Sequence, residues 1–185
     1  MKKLFIIFYL AFLGSTQKAF CQEFITESGH AEFLSRASLN EFTGKSDQLN
    51  GLVDLDKNLV DFYIDLNTLK TGIGLRDRHM RENYLETEDF PYAEFTGEIR
   101  GLNEEMISSF ENGQKVTAVG KFKIHGVERE MEINGEIKQD QEKNTLHLSA
   151  KFEVLLGDHD IAIPKVMFYE LSEKQIVTIN VSLKK

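Results

Sequence analysis

The sequence is short of cysteine, proline and positive charge. Cys21 is its only cysteine, and the chain has two prolines in 185 residues. With one cysteine no disulfide can form within the chain, so a stable fold has to come from an apolar core. The formal net charge of −8 disfavours nucleic acid and anionic membrane surfaces as partners, because binding either one requires the protein to neutralise negative charge.

The N-terminus has the pattern of a secretory signal peptide. Lys2 and Lys3 form a positive start, and residues 4–13 form an apolar run that is too short for a comfortable membrane span. The pattern predicts a signal peptide over residues 1–21 and a periplasmic or secreted protein. The remaining residues, 22–185, are long enough for one domain with its own core, and no later apolar run is long enough to cross a membrane.

Cleavage is predicted before Gln22, because Ala19 and Cys21 occupy the small-residue positions ahead of it. The alternative is a lipoprotein acylated on Cys21, which would need small or apolar residues where Lys18 and Phe20 stand. Cleavage removes three lysines and no acidic residue, so the net charge changes from −8 to −11. It also removes the only thiol, which excludes a cysteine nucleophile from the mature chain.

Apolar and polar residues alternate with a period of two along most of the mature chain. About eight such segments occur, separated by Gly, Asn and Asp, and most have a single polar face. One wet face is typical of antiparallel pairing. The sequence therefore predicts an all-β domain with about eight antiparallel strands closed into a barrel. A two-sheet sandwich is the alternative.

The inward positions combine phenylalanine with alanine and glycine. Small residues leave volume beside a smooth aromatic wall, which would suit an elongated apolar ligand. They can equally offset the phenylalanines in a tightly packed core, since small barrels often alternate small and large residues. The sequence does not separate these interpretations. If a ligand is bound, its predicted apolar wall comprises Phe33, Phe62, Ile64, Phe95, Ile99, Phe122, Phe152 and Val154.

A charged segment interrupts the strands near residues 75–85. Its apolar positions, Leu75, Met80, Tyr84 and Leu85, have the spacing of a helix, which predicts a short helical insertion. Most of its other positions carry charged or titratable side chains. This segment therefore holds the first candidates for the chemistry of the protein.

Three roles are open for this insertion. Its arginines could bind a phosphate or carboxylate headgroup at the barrel mouth, because Arg forks match such anions. The i,i+4 pairs Asp77–Arg81 and Arg78–Glu82 could simply stabilise the helix. His79 could act as an acid–base group of a lipid-acting enzyme, which is least favoured because no motif ties a nucleophile to it. The predicted mouth contacts are Arg76, Arg78, His79, Met80, Arg81 and Tyr84.

Asp158, His159 and Asp160 form the other concentration of possible ligand groups. No repeated spacing of metal ligands accompanies them, so a solvated loop is favoured over a metal site. We predict neither a metal nor a cofactor.

Three motifs resemble those of one known family. Residues 76–81 (RDRHMR) are similar to its RDxHLR helix, residues 89–95 (DFPYAEF) to its yPxxxF strand entry, and residues 120–127 (GKFKIHGV) to its GxLxxxGV hairpin. The chain thus resembles the YceI-like family of secreted, lipocalin-like barrels that bind polyisoprenoid lipids, over about residues 24–183. The resemblance implies a non-catalytic binding protein with an isoprenoid-type lipid, or another elongated apolar molecule, as its partner.

Two departures from the family pattern bear on the ligand. Residues 128–130 (ERE) replace a Thr-Lys-Pro type run, and residues 156–165 replace the usual arginine and aspartate of the penultimate strand. If the second segment shapes one end of the cavity, the lipid preference could differ here. A homodimer and an envelope role exerted through partners are both left open.

Overall fold

The computed structural model describes residues 22–37, 40–163, 165–166, 169–170 and 172–185. The predicted signal peptide and Cys21 lie outside the described residues. Within the described ranges, no helix has both the length and the apolar character that a membrane crossing requires.

Eight long strands close into one antiparallel barrel. They are β1 (Glu23–Ala37), β2 (Asn40–Asp54), β3 (Leu59–Asp65), β4 (Tyr92–Ile99), β5 (Gln114–Ile124), β6 (Val127–Asp140), β7 (Thr145–Leu155) and β10 (Lys174–Lys184). Neighbours around the barrel run β1-β10-β7-β6-β5-β4-β3-β2, so the last strand closes on the first. β8 (Lys165–Val166) and β9 (Tyr169–Glu170) pair with each other in a separate two-stranded sheet. The predicted barrel is confirmed, and the sandwich alternative is wrong.

Short helical segments occupy three of the connections. The insertion between β3 and β4 contains a 3-10 turn (Leu66–Thr68), α1 (Gly74–His79) and a π-helical turn (Met80–Tyr84). The β4–β5 connection holds α2 (Glu104–Ser109), followed by the 3-10 turn Phe110–Asn112, and a further 3-10 turn (Leu156–His159) follows β7. The Asn103 side chain caps α2 by accepting from the Met106 N–H at 2.9 Å. The predicted insertion near 75–85 is confirmed, although the helix begins at Gly74.

The two ends of the barrel are filled differently. At the end where β4 leads into α2, the interior is packed solid, with Phe110 0% exposed. The other fully buried apolar side chains of this plug are Phe24, Val53, Ile99, Ile137, Leu146 and Leu183. α1 and the π-helical turn cross the opposite end, between the end of β3 and the start of β4. The plug therefore contains nearly all of the fully buried apolar side chains, and the opposite end of the barrel is less tightly filled.

Some of the small inward residues exist for close packing. A Cβ on Gly97 would lie 2.4 Å from the Val119 carbonyl oxygen, so β4 and β5 approach too closely for a side chain. A Cβ on Gly51 would lie 2.0 Å from the ring of Phe62, which covers that glycine. At these positions the packing interpretation of the small residues is correct.

Candidate ligand-binding cavity

An apolar cavity of about 490 Å³ occupies the barrel interior beneath α1. Its wall includes one row of aromatic rings, because Phe62 pairs with Phe95, and Phe95 with Phe122, across three consecutive strands. The Phe152 ring lies edge-on to Phe122, with centroids 5.9 Å apart. The strand alternation thus places phenylalanines from four strands around one space.

Seven of the eight predicted wall residues line this cavity: Phe33, Phe62, Ile64, Phe95, Phe122, Phe152 and Val154. Ile99 does not line it. Ile99 points inward but lies in the plug, 2% exposed, and its backbone N–H and carbonyl are both bonded by the Asn58 side chain, at 2.9 and 3.1 Å. Alternation gives the face of a strand residue but not its depth along the barrel.

The remaining small inward residues leave the space for the cavity. Ala31, Ala93, Ala118 and Ala150 all line it. Gly135 also lines it but belongs with the close-packing group, because a Cβ there would lie 2.6 Å from the Ser149 carbonyl oxygen. At the alanine positions the small side chains leave volume, as the ligand interpretation predicts. The two interpretations of the small residues therefore apply to different positions of one interior. The larger lining residues that the sequence did not single out include Leu49, Leu66, Leu69, Leu85, Val116, Ile133, Leu148, Leu156, Ile161, Val177 and Ile179. Several of these come from connections, which carry no period-2 signal.

The mouth of the cavity carries four of the six predicted contacts: Arg76, His79, Met80 and Tyr84. The Arg76 guanidinium lies over the Phe42 ring at 4.3 Å, a cation–π contact that holds α1 against β2. Arg78 is exposed and does not line the cavity. Arg81 does not line it either, and its Nη1 is buried without a hydrogen-bond partner among the described residues.

Asp77 anchors the start of α1 instead of pairing along the helix. Its carboxylate is 7% exposed and accepts from the Thr71 N–H at 2.8 Å and the Thr71 hydroxyl at 2.6 Å. Burial alone would raise the pKa of Asp77, but the Thr71 hydrogen bonds, with Lys70 and Arg81 nearby, outweigh it and lower the pKa. Neither expected i,i+4 pair is among the ion pairs of the described residues.

The expectation of a solvated loop at 158–160 is wrong for His159. His159 is 2% exposed, its Nδ1 lies 3.0 Å from the Val127 carbonyl oxygen, and its ring lies edge-on to Phe122. It therefore packs against Phe122, a residue of the cavity wall. In the described part of the chain, no group of three His, Cys, Asp or Glu side chains is arranged to hold a metal ion.

His125 joins three segments on the far side of the mouth. Its Nδ1 lies 3.2 Å from the His159 carbonyl oxygen and its Nε2 lies 3.2 Å from the Glu86 carboxylate, while Phe90 packs edge-on against its ring. Both hydrogen-bond partners are acceptors, so a neutral imidazole can donate to one of them and an imidazolium to both. This contact fixes the end of the insertion to the β5–β6 turn.

A family model for the YceI-like domain matches residues 24–184. The chain belongs to the YceI-like family. The RDRHMR motif of this YceI-like chain is α1 itself, and the GKFKIHGV motif is the β5–β6 hairpin that carries His125. No curated protein matches the chain significantly.

Solved structures share the YceI-like fold at low sequence identity. A polyisoprenoid binding domain from Saccharophagus degradans has a TM-score of 0.72 and 15% identity, with 89% of this chain and 98% of that chain covered. Burkholderia cenocepacia BcnA has a TM-score of 0.63 and 10% identity, covering 85% and 96%. A Campylobacter jejuni YCEI protein has a TM-score of 0.64 and 16% identity, covering 81% and 89%. At these identities the likeness establishes the fold.

Proposed function

We propose that this YceI-like protein is a secreted or periplasmic, non-catalytic binding protein that holds a long apolar ligand of the isoprenoid type inside its barrel. The observation that carries the proposal is the cavity wall, which is built almost wholly from hydrocarbon side chains. The charged or hydrogen-bonding side chains that line it are Glu32, Ser35, Arg76, His79, Tyr84 and Gln175. A hydrocarbon chain in this space would leave few polar groups unpaired, whereas a polar ligand would find few partners.

The cavity volume limits how much of a ligand it encloses. If each non-hydrogen atom takes about the 30 Å³ that a water molecule occupies in the liquid, the cavity holds roughly 16 atoms, or about three five-carbon isoprene units. At about 0.8 kcal/mol per buried CH₂, this burial contributes on the order of 13 kcal/mol before the loss of translational freedom, side-chain ordering and desolvation are subtracted. A longer chain would extend past α1 through the mouth.

The mouth suits the head of such a ligand rather than a reaction. Arg76 and His79 border the cavity where a headgroup would emerge, and both can donate to a phosphate, carboxylate or carbonyl oxygen. His79 takes part in none of the hydrogen bonds found between described residues, so no group among those residues orients its ring through a hydrogen bond. This favours a binding role over the alternative of a lipid-acting enzyme.

Native mass spectrometry of the gently purified protein tests the ligand. We expect a 1:1 complex with an apolar adduct, and uptake of a polyisoprenoid alcohol by protein that has been stripped of lipid. A barrel that carries no adduct and takes up no isoprenoid would contradict the proposal. Activity of the wild type but not of H79A on lipid esters or phosphates would favour the enzyme instead.

Cell fractionation with N-terminal sequencing tests the location. We expect the mature chain in the periplasm or medium, beginning at Gln22. A cytoplasmic chain that keeps residues 1–21 would contradict secretion, and a diacylated Cys21 would show the lipoprotein alternative.

A further inference from the structure

An exposed apolar patch lies on the rim of the cavity. Ile73 is 49% exposed and Leu75 is 55% exposed, yet both also line the cavity. The segment that carries them is fixed to the barrel by two backbone hydrogen bonds between Lys45 and Lys70, both 2.9 Å. Hydrocarbon inside the barrel and hydrocarbon on the outer surface are therefore continuous at this point.

Cationic residues lie near these two side chains along the chain and at the adjoining bridge to β2. We call the rim patch the exposed residues Ile73 and Leu75 together with Lys45, Lys70, Arg76 and Arg78. Residues 70–81 contain four cations and one carboxylate, and that carboxylate, Asp77, is buried against Thr71. The rim patch is thus locally positive on a strongly acidic domain. The net charge of the whole chain does not show this local excess of positive charge.

Acidic residues of the insertion follow the rim patch along the chain. Glu82, Glu86, Glu88 and Asp89 come after it, and Glu86 faces His125 at the β5–β6 turn. Arg36 on β1 forms an ion pair with Glu41 on β2 at 2.7 Å, so these two charges offset each other. Glu32 on β1 lies opposite Lys45 in the strand pairing and also lines the cavity, so it offsets one of the rim cations. The mouth therefore has a mainly basic, apolar side toward β2 and an acidic side toward β5.

We propose that the rim patch docks on an anionic lipid bilayer, with the cavity mouth facing the membrane. Ile73 and Leu75 enter the boundary between headgroups and acyl chains, and the surrounding cations contact lipid phosphates. An apolar ligand can then pass between bilayer and barrel over hydrocarbon side chains. The ligand in this account rests on the proposed function, but the docking itself does not.

Charge favours a bilayer over a second copy of the chain. A symmetric dimer would place the rim patch against itself, because a two-fold interface uses the same surface on both subunits. Four cations would then face four cations, whereas an anionic bilayer neutralises them.

Vesicle flotation tests the docking, with vesicles of phosphatidylcholine alone and of phosphatidylcholine mixed with phosphatidylglycerol. We expect the wild type to float with the mixed vesicles, and high salt to reduce the floating fraction. I73S should weaken this binding about tenfold and R78Q about fivefold. The matched controls lie at the plugged end: I25S, at a residue 47% exposed, and R100Q should behave like the wild type.

Several outcomes of these measurements would contradict the docking. No flotation of the wild type, or equal losses in I73S and I25S, would overturn the docking. Light scattering that finds a dimer dissociated by I73S would assign the rim patch to a second copy and overturn it as well. Isoprenoid loading is measured by native mass spectrometry on the same preparations. A loaded protein that does not float refutes docking alone, and a floating protein that never loads refutes only the proposed ligand.

Discussion

Ala150 offers a direct test of whether the cavity is the binding site. It lies on β7, pairs with Gly135 on β6 and Ile179 on β10, and lines the cavity. Ala150→Phe adds six ring carbons pointing into that space. At about 30 Å³ per non-hydrogen atom, the ring takes up roughly 180 Å³, more than a third of the 490 Å³ available.

The expected loss of affinity follows from this volume. A ligand that filled the cavity would have to withdraw about six carbons, which at about 0.8 kcal/mol each amounts to roughly 5 kcal/mol, or more than a thousandfold in Kd. A ligand that slides outward over the rim recovers part of this, so we expect a loss of at least about a hundredfold. The empty variant should gain about 0.5–2 kcal/mol in stability, because the ring fills apolar space.

Isothermal titration of lipid-stripped protein with geranylgeraniol measures the affinity, and calorimetric melting measures the stability. Ala162→Phe is the matched control, because Ala162 is exposed in the connection after the 3-10 turn Leu156–His159. Its affinity should equal that of the wild type. Undiminished binding by A150F would show that the ligand lies elsewhere. A fall in its melting temperature would show that the space beneath α1 does not accept a ring.

Two further predictions concern stability. G97A should destabilise the barrel by about 1–3 kcal/mol in denaturant unfolding, because the added Cβ would meet the Val119 carbonyl oxygen. G74A is the control: a Cβ at Gly74 would have no atom within 4 Å, so this variant should be as stable as the wild type or more stable. Equal effects of the two substitutions would contradict the packing account. Hydrogen bonds from Lys57 lower the pKa of buried Asp54 below its usual 3.8, so its contribution is full above pH 3.8 and is lost as the pH falls through the folded pKa. At neutral pH the free energy of unfolding of D54N should therefore be lower than that of the wild type by about 1.5–3 kcal/mol, and the difference should shrink in acid. Exposed D158N should show neither effect.

The barrel was predictable because its information is local. Alternation with a period of two states which side chains point inward, and the short turns force neighbouring strands to pair antiparallel. This was enough for the fold and for seven of the eight wall residues. It failed at Ile99, because the position of a residue along the barrel axis depends on how far each strand is shifted against the next. The sequence pattern does not state that shift.

The mouth was less predictable because its helix is irregular. An i,i+4 pattern assumes a regular α-helix from residue 75 to 85, whereas α1 ends at His79 and a π-helical turn follows. The Leu85 N–H bonds to the Met80 carbonyl, five residues back, which shifts the faces of later residues. Arg81 therefore leaves the cavity side, while Met80 and Tyr84 remain on it. His159 was missed because its partner is a distant backbone carbonyl.

The division of the interior into plug and cavity gives a packing reason to expect a ligand. Protein interiors are normally packed as densely as organic crystals, and a dry void is unfavourable by about 24 cal/mol per Å³. Applied to all 490 Å³, that scale gives an upper limit on the order of 12 kcal/mol, because the space opens at the mouth and only its inner part is enclosed. The plug around Phe110 and Ile137 can support the strands at one end, but it cannot fill the other. An apolar chain beneath α1 would add the missing contacts and complete the core of this barrel, in which case the fold and the proposed binding function would share one set of residues.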